Sequence, residues 1–108
     1  IQEIINHPDL SQWEYLLTIE HDNVPPADGL IKLIKRMEEH PEFSCIGGLY
    51  WTKGIEGKPM CYGRTDVFPM GFAPFMPEPD TITPCNGLGM GFTLFKLDIF
   101  KNKKLLVI

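Results

Sequence analysis

The stretch Trp13 to Pro26, WEYLLTIEHDNVPP, decides the fold class, because an apolar run ends there in two carboxylates and a proline turn. The apolar character of Trp13 to Ile19 is typical of an interior strand covered on both faces of a sheet. Glu20 and Asp22 follow two residues apart, so an extended backbone would point both side chains to the same side. We therefore predict a strand whose acidic tip holds a cation. The alternative is that both carboxylates stabilise the start of the following helix.

The residues after this turn predict a strand, helix, strand unit, which is the motif that builds a parallel sheet. Pro25 and Pro26 suit a helix entrance and Pro41 ends the pattern, so we expect the helix over Ala27 to His40. The second strand is expected over Ser44 to Trp51. The predicted fold class is therefore α/β, a sheet with flanking helices. The expected buried stripe of the helix consists of Leu30, Ile31, Ile34 and Met37.

Prolines and phenylalanines alternate between Arg64 and Pro84. This density of proline excludes a long helix or a central strand. Loops of such length inside compact domains are often functional, so the segment is either a binding surface or a cover for one. Just before it, Met60 to Gly63 is expected to form a hairpin with the preceding strand across the polar turn Thr52 to Pro59. The competing interpretation is that three phenylalanines fill the core: Phe68, Phe72 and Phe75.

A glycine-rich segment, NGLGMG, occupies Asn86 to Gly91 and has glycines at alternate positions. Glycine leaves room for the close approach of a ligand or of another chain segment, and both readings are open. The segment matches neither GxGxxG nor GxxxxGK[ST], which excludes those phosphate-binding loops. The apolar run Phe92 to Phe95 follows, and Leu97 to Lys101 predicts the first turn of a helix.

The composition favours a single globular unit, since 108 residues with 44% hydrophobic content supply one core at most. The net charge is -4 without a basic stripe, so nucleic acid is not expected as a partner. The sequence contains no apolar run of about 18 residues and no signal-peptide pattern, so no transmembrane segment is expected. The odd cysteine count and its spacings predict reduced thiols in a cytoplasmic protein. These cysteines are Cys45, Cys61 and Cys85.

The order of these segments resembles the family 2 glycosyltransferases with the GT-A fold. The matching features are a strand ending in ExD, then NVPP, an amphipathic helix, a strand ending in GGLYW, an irregular loop and GMGFTLFKLDIFK. The resemblance covers about Trp13 to Asn102 and implies that residues 1–108 form the central portion of one GT-A domain, incomplete at both ends. It implies metal-dependent transfer of a sugar from a nucleotide-diphospho-sugar donor to an acceptor. The family's catalytic base comes from a later motif, so the isolated chain is expected to be inactive.

The resemblance places the family's acidic metal-binding pair, usually DxD, on Glu20 and Asp22. Glu20 stands where the family usually has Asp, and its carboxylate reaches one methylene further. Asp22 is expected to bind Mn²⁺ or Mg²⁺ directly, with Glu20 as a second ligand or a hydrogen-bond acceptor. Lys53 and Arg64 are candidates for phosphate contacts, although lone cations in polar loops are usually solvated. The expected donor or acceptor contacts are Asn23, Trp51, Asn86, Gly87, Gly89 and Gly91.

Other functions remain open on the residues alone. The main alternative is a noncatalytic module on the same fold that binds a glycan or a protein, with binding that a chelator does not affect. A metal-dependent phosphohydrolase would need further carboxylate or histidine ligands, which the sequence does not display. An exposed strand at the edge of the sheet also predicts self-association.

Overall fold

The computed structural model describes residues 1–52, 57–78 and 80–101, which form a small mixed structure of helices and antiparallel strands. The helices are α1 (Gln2–Asn6) and α2 (Gly29–Glu39), with short 3₁₀ helices at Leu10–Gln12 and Leu97–Lys101. The strands are β1 (Tyr15–Ile19), β2 (Cys45–Gly47), β3 (Cys61–Arg64), β4 (Cys85–Leu88) and β5 (Phe92–Lys96). The predicted elements are thus present, with shorter bounds for α2 and for the strands on either side of it.

The main sheet has the strand order β1-β5-β2 and is antiparallel throughout, so the expectation of a parallel sheet is wrong. β5 lies between the other two strands, with Leu17 opposite Leu94 on one side and Ile46 opposite Leu94 on the other. β1 and β2 therefore run in the same direction, as a strand, helix, strand unit requires, but they are not neighbours. The physical reason is that β5, from much later in the chain, takes the position between them.

β1 is less buried than its apolar sequence predicts. In the part of the chain that the structure describes, β1 pairs with β5 alone and stands at an edge of the sheet. Ile19, its last residue, is 50% exposed, and the other four residues are half-buried. A continuous apolar run therefore identified the strand correctly but was wrong about cover on both faces. Self-association through this edge stays a prediction.

The core lies between α2 and the sheet. Met37 and Leu94 are each about 1% exposed and pack in one cluster with Leu33 and Phe92. Residues Leu33 and Met37 are four apart, so they share one face of α2. This cluster attaches the helix to the central strand β5.

The face of α2 that packs on the sheet agrees with the predicted stripe in part. Met37 is buried and Ile34 packs against the core, whereas Ile31 is 69% exposed and Leu30 is also exposed. Gly29 and Leu33, which the stripe did not include, are buried. A side chain on Gly29 would place its Cβ 3.1 Å from the Phe92 ring. The absence of that side chain lets the start of α2 approach β5.

β3 and β4 form a separate two-stranded ribbon, with Cys61 opposite Leu88. Of the expected hairpin partner Met60 to Gly63, Met60 pairs with the end of the second strand. There the Met60 N–H donates a hydrogen bond of 2.8 Å to the Tyr50 carbonyl, and Trp51 lies opposite Pro59. The tip of the turn, residues 53–56, lies outside the described residues. After Met60 the chain pairs with β4 instead.

The proline-rich loop is held against this ribbon. The Gly63 N–H donates a hydrogen bond of 2.9 Å to the Ala73 carbonyl, and Asn86 Nδ2 donates one of 2.9 Å to the Gly71 carbonyl. Gly63 has a φ of +76°, and a Cβ there would lie 2.0 Å from the Gly71 oxygen. Only glycine fits this position, so the loop has a defined conformation.

The phenylalanines of this loop do not fill the core as the competing interpretation expected. Phe68 is 96% exposed and Phe72 is 59% exposed, while Phe75 is half-buried. The core-filling interpretation is therefore wrong for Phe68 and Phe72.

All three cysteines are free thiols. Burial of the Cys61 side chain, together with the neighbouring Cys85, raises the pKa of the Cys61 thiol to about 11. Cys61 is therefore a protonated core residue at neutral pH and a poor nucleophile. Across the described ranges, the helices are all too short or too polar to span a bilayer.

Candidate functional site

The residues that follow β1 meet the glycine-rich segment at the peptide group of Gly91. The Glu20 N–H donates a hydrogen bond of 3.1 Å to the Gly91 carbonyl, and Asn23 Nδ2 donates one of 3.0 Å to the same oxygen. A carbonyl oxygen has two lone pairs, and these two donors can occupy both. Two segments that are 68 residues apart in sequence are therefore joined at one point.

Glu20 to Asn23 form a turn, which we call the acidic turn. It is closed by a hydrogen bond of 3.0 Å from the Asn23 N–H to the Glu20 carbonyl. The two carboxylates were predicted to point to the same side because the strand was expected to continue through them. β1 ends at Ile19, before either carboxylate. Glu20 and Asp22 are both exposed on this turn. Their role as metal ligands stays a prediction.

The helix-capping alternative for Glu20 and Asp22 also stays a prediction, although neither residue is the N-cap of α2. The residue at the N-cap of α2 is Asp28, and its carboxylate lies 3.0 Å from Lys32 Nζ, one helical turn later. The hydrogen bond with Lys32 holds the pKa of the Asp28 carboxyl below its ordinary value. Favourable negative charge at the start of α2 is thus supplied by Asp28.

The Tyr50 side chain contacts both the acidic turn and the glycine-rich segment. The Gly91 N–H donates a hydrogen bond of 2.8 Å to the Tyr50 hydroxyl, and this hydroxyl lies 3.5 Å from Glu20 Oε1, to which it donates. Burial raises the pKa of Tyr50, the Gly91 hydrogen bond opposes this rise, and the Glu20 carboxylate adds to it. The hydroxyl is therefore protonated at neutral pH and available as a donor. Sequence reasoning named Trp51 and missed this role of Tyr50.

The need for glycine at two of the three alternate positions, Gly89 and Gly91, is explained by the Tyr50 side chain. A Cβ on Gly89 would lie 2.2 Å from the Tyr50 hydroxyl oxygen, and a Cβ on Gly91 would lie 2.3 Å from Cζ of the same ring. Of the two open readings, approach by another chain segment is the one observed at these positions. A Cβ on Gly87 would make only ordinary contact, 3.5 Å from the Phe72 ring. The spacing of the glycines was thus the signal for a bulky neighbour, although it did not identify which one.

The turn Gly89 to Gly91, which we call the glycine turn, is also held at its other end by β5. Thr93, which is buried in β5, donates a hydrogen bond of 2.8 Å from its hydroxyl to the Gly89 carbonyl. A buried hydroxyl with this partner satisfies its polar group and restrains the turn. Gly89 and Gly91 are therefore both held in place, one by β5 and the other by the acidic turn and Tyr50.

The described residues contain no group of three His, Cys, Asp or Glu side chains that could hold a metal ion. Glu20 and Asp22 would supply two carboxylates at most. Mg²⁺ sites that act on phosphates commonly use one or two carboxylates, several waters and the substrate phosphates. Two carboxylates are the number that a site of that kind uses, and they are too few for an all-protein site.

Comparison of this chain with family models, curated proteins and solved structures gives no match. The glycosyltransferase resemblance stays a prediction. The chemistry of the acidic turn is therefore interpreted from the residues themselves.

The remaining predicted contacts lie at different places. Trp51 follows Tyr50 and is 51% exposed, so its ring is available to a ligand. Asn86 and Gly87 lie on β4, where Asn86 Nδ2 binds the Gly71 carbonyl and holds the proline-rich loop. Asn86 thus has a structural role in the ribbon, and its contact with a donor or acceptor stays a prediction.

Of the two predicted phosphate contacts, Arg64 lies among the described residues. Arg64 donates hydrogen bonds from Nε and Nη2 to the two carboxylate oxygens of Asp66, at 3.0 and 2.9 Å. Both side chains are exposed. The hydrogen bond with Arg64 holds the pKa of the Asp66 carboxyl below its ordinary value. Arg64 is therefore a solvated, paired cation, as its alternative interpretation stated. Lys53 lies outside the described residues.

Proposed function

We propose that this chain is the metal-binding core of a GT-A-like glycosyltransferase, in which Glu20 and Asp22 hold a divalent cation that binds the diphosphate of a nucleotide sugar. One observation carries the proposal: the Gly91 carbonyl accepts hydrogen bonds from both the Glu20 N–H and Asn23 Nδ2. These bonds fix the acidic turn to a second segment before any ligand arrives. Because these bonds hold the turn at the Glu20 backbone and the Asn23 side chain, a cation would have to order the two carboxylates but not the turn that carries them.

The chemistry matches the residues. As the sugar leaves, negative charge grows on the diphosphate, and Mn²⁺ or Mg²⁺ bound there would offset it. Asp22 is the proposed direct ligand. Glu20 is the proposed second ligand or the acceptor of a hydrogen bond from ribose or from a water on the cation. Both are exposed, so a nucleotide can reach them without rearrangement of the core.

Three other residues support this role. Asn23 Nδ2 donates its hydrogen bond to the Gly91 carbonyl. Asn23 is therefore proposed to support the site by holding the conformation of the acidic turn. The half-exposed ring of Trp51 is proposed to stack on the base or the sugar. Tyr50 restrains the Gly91 peptide from the opposite side. The donor nucleotide, the sugar and the acceptor are not distinguished by these contacts.

Isothermal titration of UDP and of GDP into the chain, with Mn²⁺ present, tests the proposal. Binding should be lost when Mn²⁺ is chelated and in Asp22→Asn, which removes the charge and keeps the size of the side chain. Asp9→Asn is the matched control, because Asp9 is an exposed acid that makes no side-chain capping hydrogen bond. Nucleotide binding that survives both chelation and Asp22→Asn would contradict the proposal.

A second function, a noncatalytic module for a glycan or a protein, is favoured by the exposed proline-rich loop. Val67 to Pro77 contains no charged residue, and its Phe68 side chain is 96% exposed. Exposed apolar patches with polar surroundings often mark interaction surfaces. This function predicts binding that Phe68→Ser abolishes and that neither chelation nor Asp22→Asn affects.

A further inference from the structure

The Tyr50 hydroxyl is hydrogen-bonded both to the glycine turn and to the Glu20 carboxylate of the acidic turn. Its hydroxyl accepts from the Gly91 N–H at 2.8 Å and faces Glu20 Oε1 at 3.5 Å. A phenol has one proton to donate. Because the Gly91 N–H approaches the oxygen as a donor, the phenol proton is directed to Glu20.

The position of this hydroxyl is fixed by packing as well. The Tyr50 ring occupies the space that side chains on Gly89 and Gly91 would need, with Cβ distances of 2.2 and 2.3 Å to its atoms. The ring therefore has little room to rotate away, and the hydroxyl stays beside the acidic turn. A Tyr50→Phe substitution keeps the ring in this space and removes only the hydroxyl.

We infer that Tyr50 is a positioning residue, whose hydroxyl orients the Glu20 carboxylate so that the acidic turn can bind a divalent cation with a nucleoside diphosphate. This inference rests on the proposed function of the same site. A carboxylate has two oxygens, so a hydrogen bond at Oε1 can set the orientation of the group without using the other oxygen. Tyr50 acts through Glu20 and does not itself contact the ligand.

A double-mutant cycle separates positioning from a merely structural role. We expect Tyr50→Phe to weaken Mn²⁺-dependent UDP or GDP binding about threefold, near the lower end for one hydrogen bond, because this contact is exposed and 3.5 Å long. Glu20→Ala should weaken binding too, and Tyr50→Phe should then add no further loss in the Glu20→Ala background. Equal losses in both backgrounds would mean that Tyr50 only shapes the glycine turn, and would overturn the inference.

Tyr62→Phe is the matched control, because the Tyr62 hydroxyl donates its hydrogen bond to the Met60 sulfur. It should leave nucleotide affinity unchanged, and a loss as large as that of Tyr50→Phe would also overturn the inference.

A measurement on the free protein keeps the two proposals distinguishable. The NMR chemical shift of the Glu20 side-chain carboxyl carbon should move in Tyr50→Phe and stay constant in Tyr62→Phe. If the wild-type chain binds neither nucleotide, the proposed function fails and this shift alone decides whether Tyr50 holds Glu20. A Glu20 carboxyl shift that is the same in the wild type and in Tyr50→Phe would overturn the inference whatever the binding result.

Discussion

Nδ2 of Asn23 lies 3.0 Å from the carbonyl oxygen of Gly91, and this hydrogen bond joins the acidic turn to the glycine turn. It extends the pairing of β1 with β5 beyond the last strand residues, Ile19 and Phe92. The hydrogen bond is partly buried, so water competes with it less than at the surface. The acidic turn therefore keeps its shape in the absence of ligand.

Asn23→Ala should lower the free energy of unfolding by about 1 kcal/mol, the usual net value of one hydrogen bond. It should also weaken Mn²⁺-dependent nucleotide binding, because the acidic turn loses its side-chain attachment. Urea unfolding and titration calorimetry measure the two effects. Asn6→Ala is the control, since Asn6 is exposed and its side chain is bonded only to Gln2 at 3.3 Å. Equal results for the two variants would contradict the role of Asn23.

Gly91→Ala should destabilise the protein, because its new Cβ would lie 2.3 Å from Cζ of Tyr50. The expected loss of unfolding free energy is about 1–3 kcal/mol, the range for overpacking a close-packed site. Gly71→Ala is a matched control, since a Cβ there has nothing within 4 Å. We expect Gly71→Ala to stay within about 0.5 kcal/mol of the wild type. A Gly91→Ala variant as stable as Gly71→Ala would show that Tyr50 does not occupy this space.

Truncation to alanine should lower the free energy of unfolding strongly at Phe92 and hardly at all at Phe68. Phe92 is 7% exposed in the core under α2, so Phe92→Ala should cost about 3–5 kcal/mol of unfolding free energy. Phe68 is 96% exposed, and Phe68→Ala should change stability by less than about 0.5 kcal/mol. Chemical denaturation of both variants measures the difference. A large loss for Phe68→Ala would mean that the proline-rich loop packs on the core after all.

Cys61 predicts a loss of stability at alkaline pH. Burial, together with Cys85, raises the pKa of its thiol from about 9.0 to about 11, so between these values the unfolded chain releases a proton that the folded chain keeps. The stabilisation is therefore fully present below pH 9 and is lost as the pH rises toward 11. Denaturation at several pH values should show a smaller decline in Cys61→Ala than in the wild type. The same slope in both proteins would exclude Cys61 as its source.

The sequence predicted the elements of this fold better than their arrangement. The apolar run before Glu20 identified β1, and the flanking prolines identified α2, because these signals are local. The insertion of β5 between β1 and β2 depends on a pairing across the length of the chain, and the run Phe92 to Phe95 suits many neighbours equally well. Periodicity was right about Met37 and Ile34 of α2 and wrong about Leu30 and Ile31. It could not indicate the burial of Gly29, because the contact of Gly29 with Phe92 is tertiary.

The candidate site was predictable to a similar degree. Glu20, Asp22 and Asn23 stand out as polar residues after an apolar strand, and the alternate glycines indicate a close approach. The partner in that approach, Tyr50, was not predictable, because a large aromatic residue near a strand end more often belongs to the core. Only the fold brings its hydroxyl within 2.8 Å of the Gly91 nitrogen.

The most direct test of the metal site is a crystal structure of the chain with Mn²⁺ and UDP, with diffraction data collected near the manganese absorption edge. We predict an anomalous peak that is bound by the Asp22 carboxylate and the UDP diphosphate, with Glu20 beside it, and no such peak in crystals of Asp22→Asn. A manganese peak away from the acidic turn, or bound UDP without manganese at Asp22, would contradict the account.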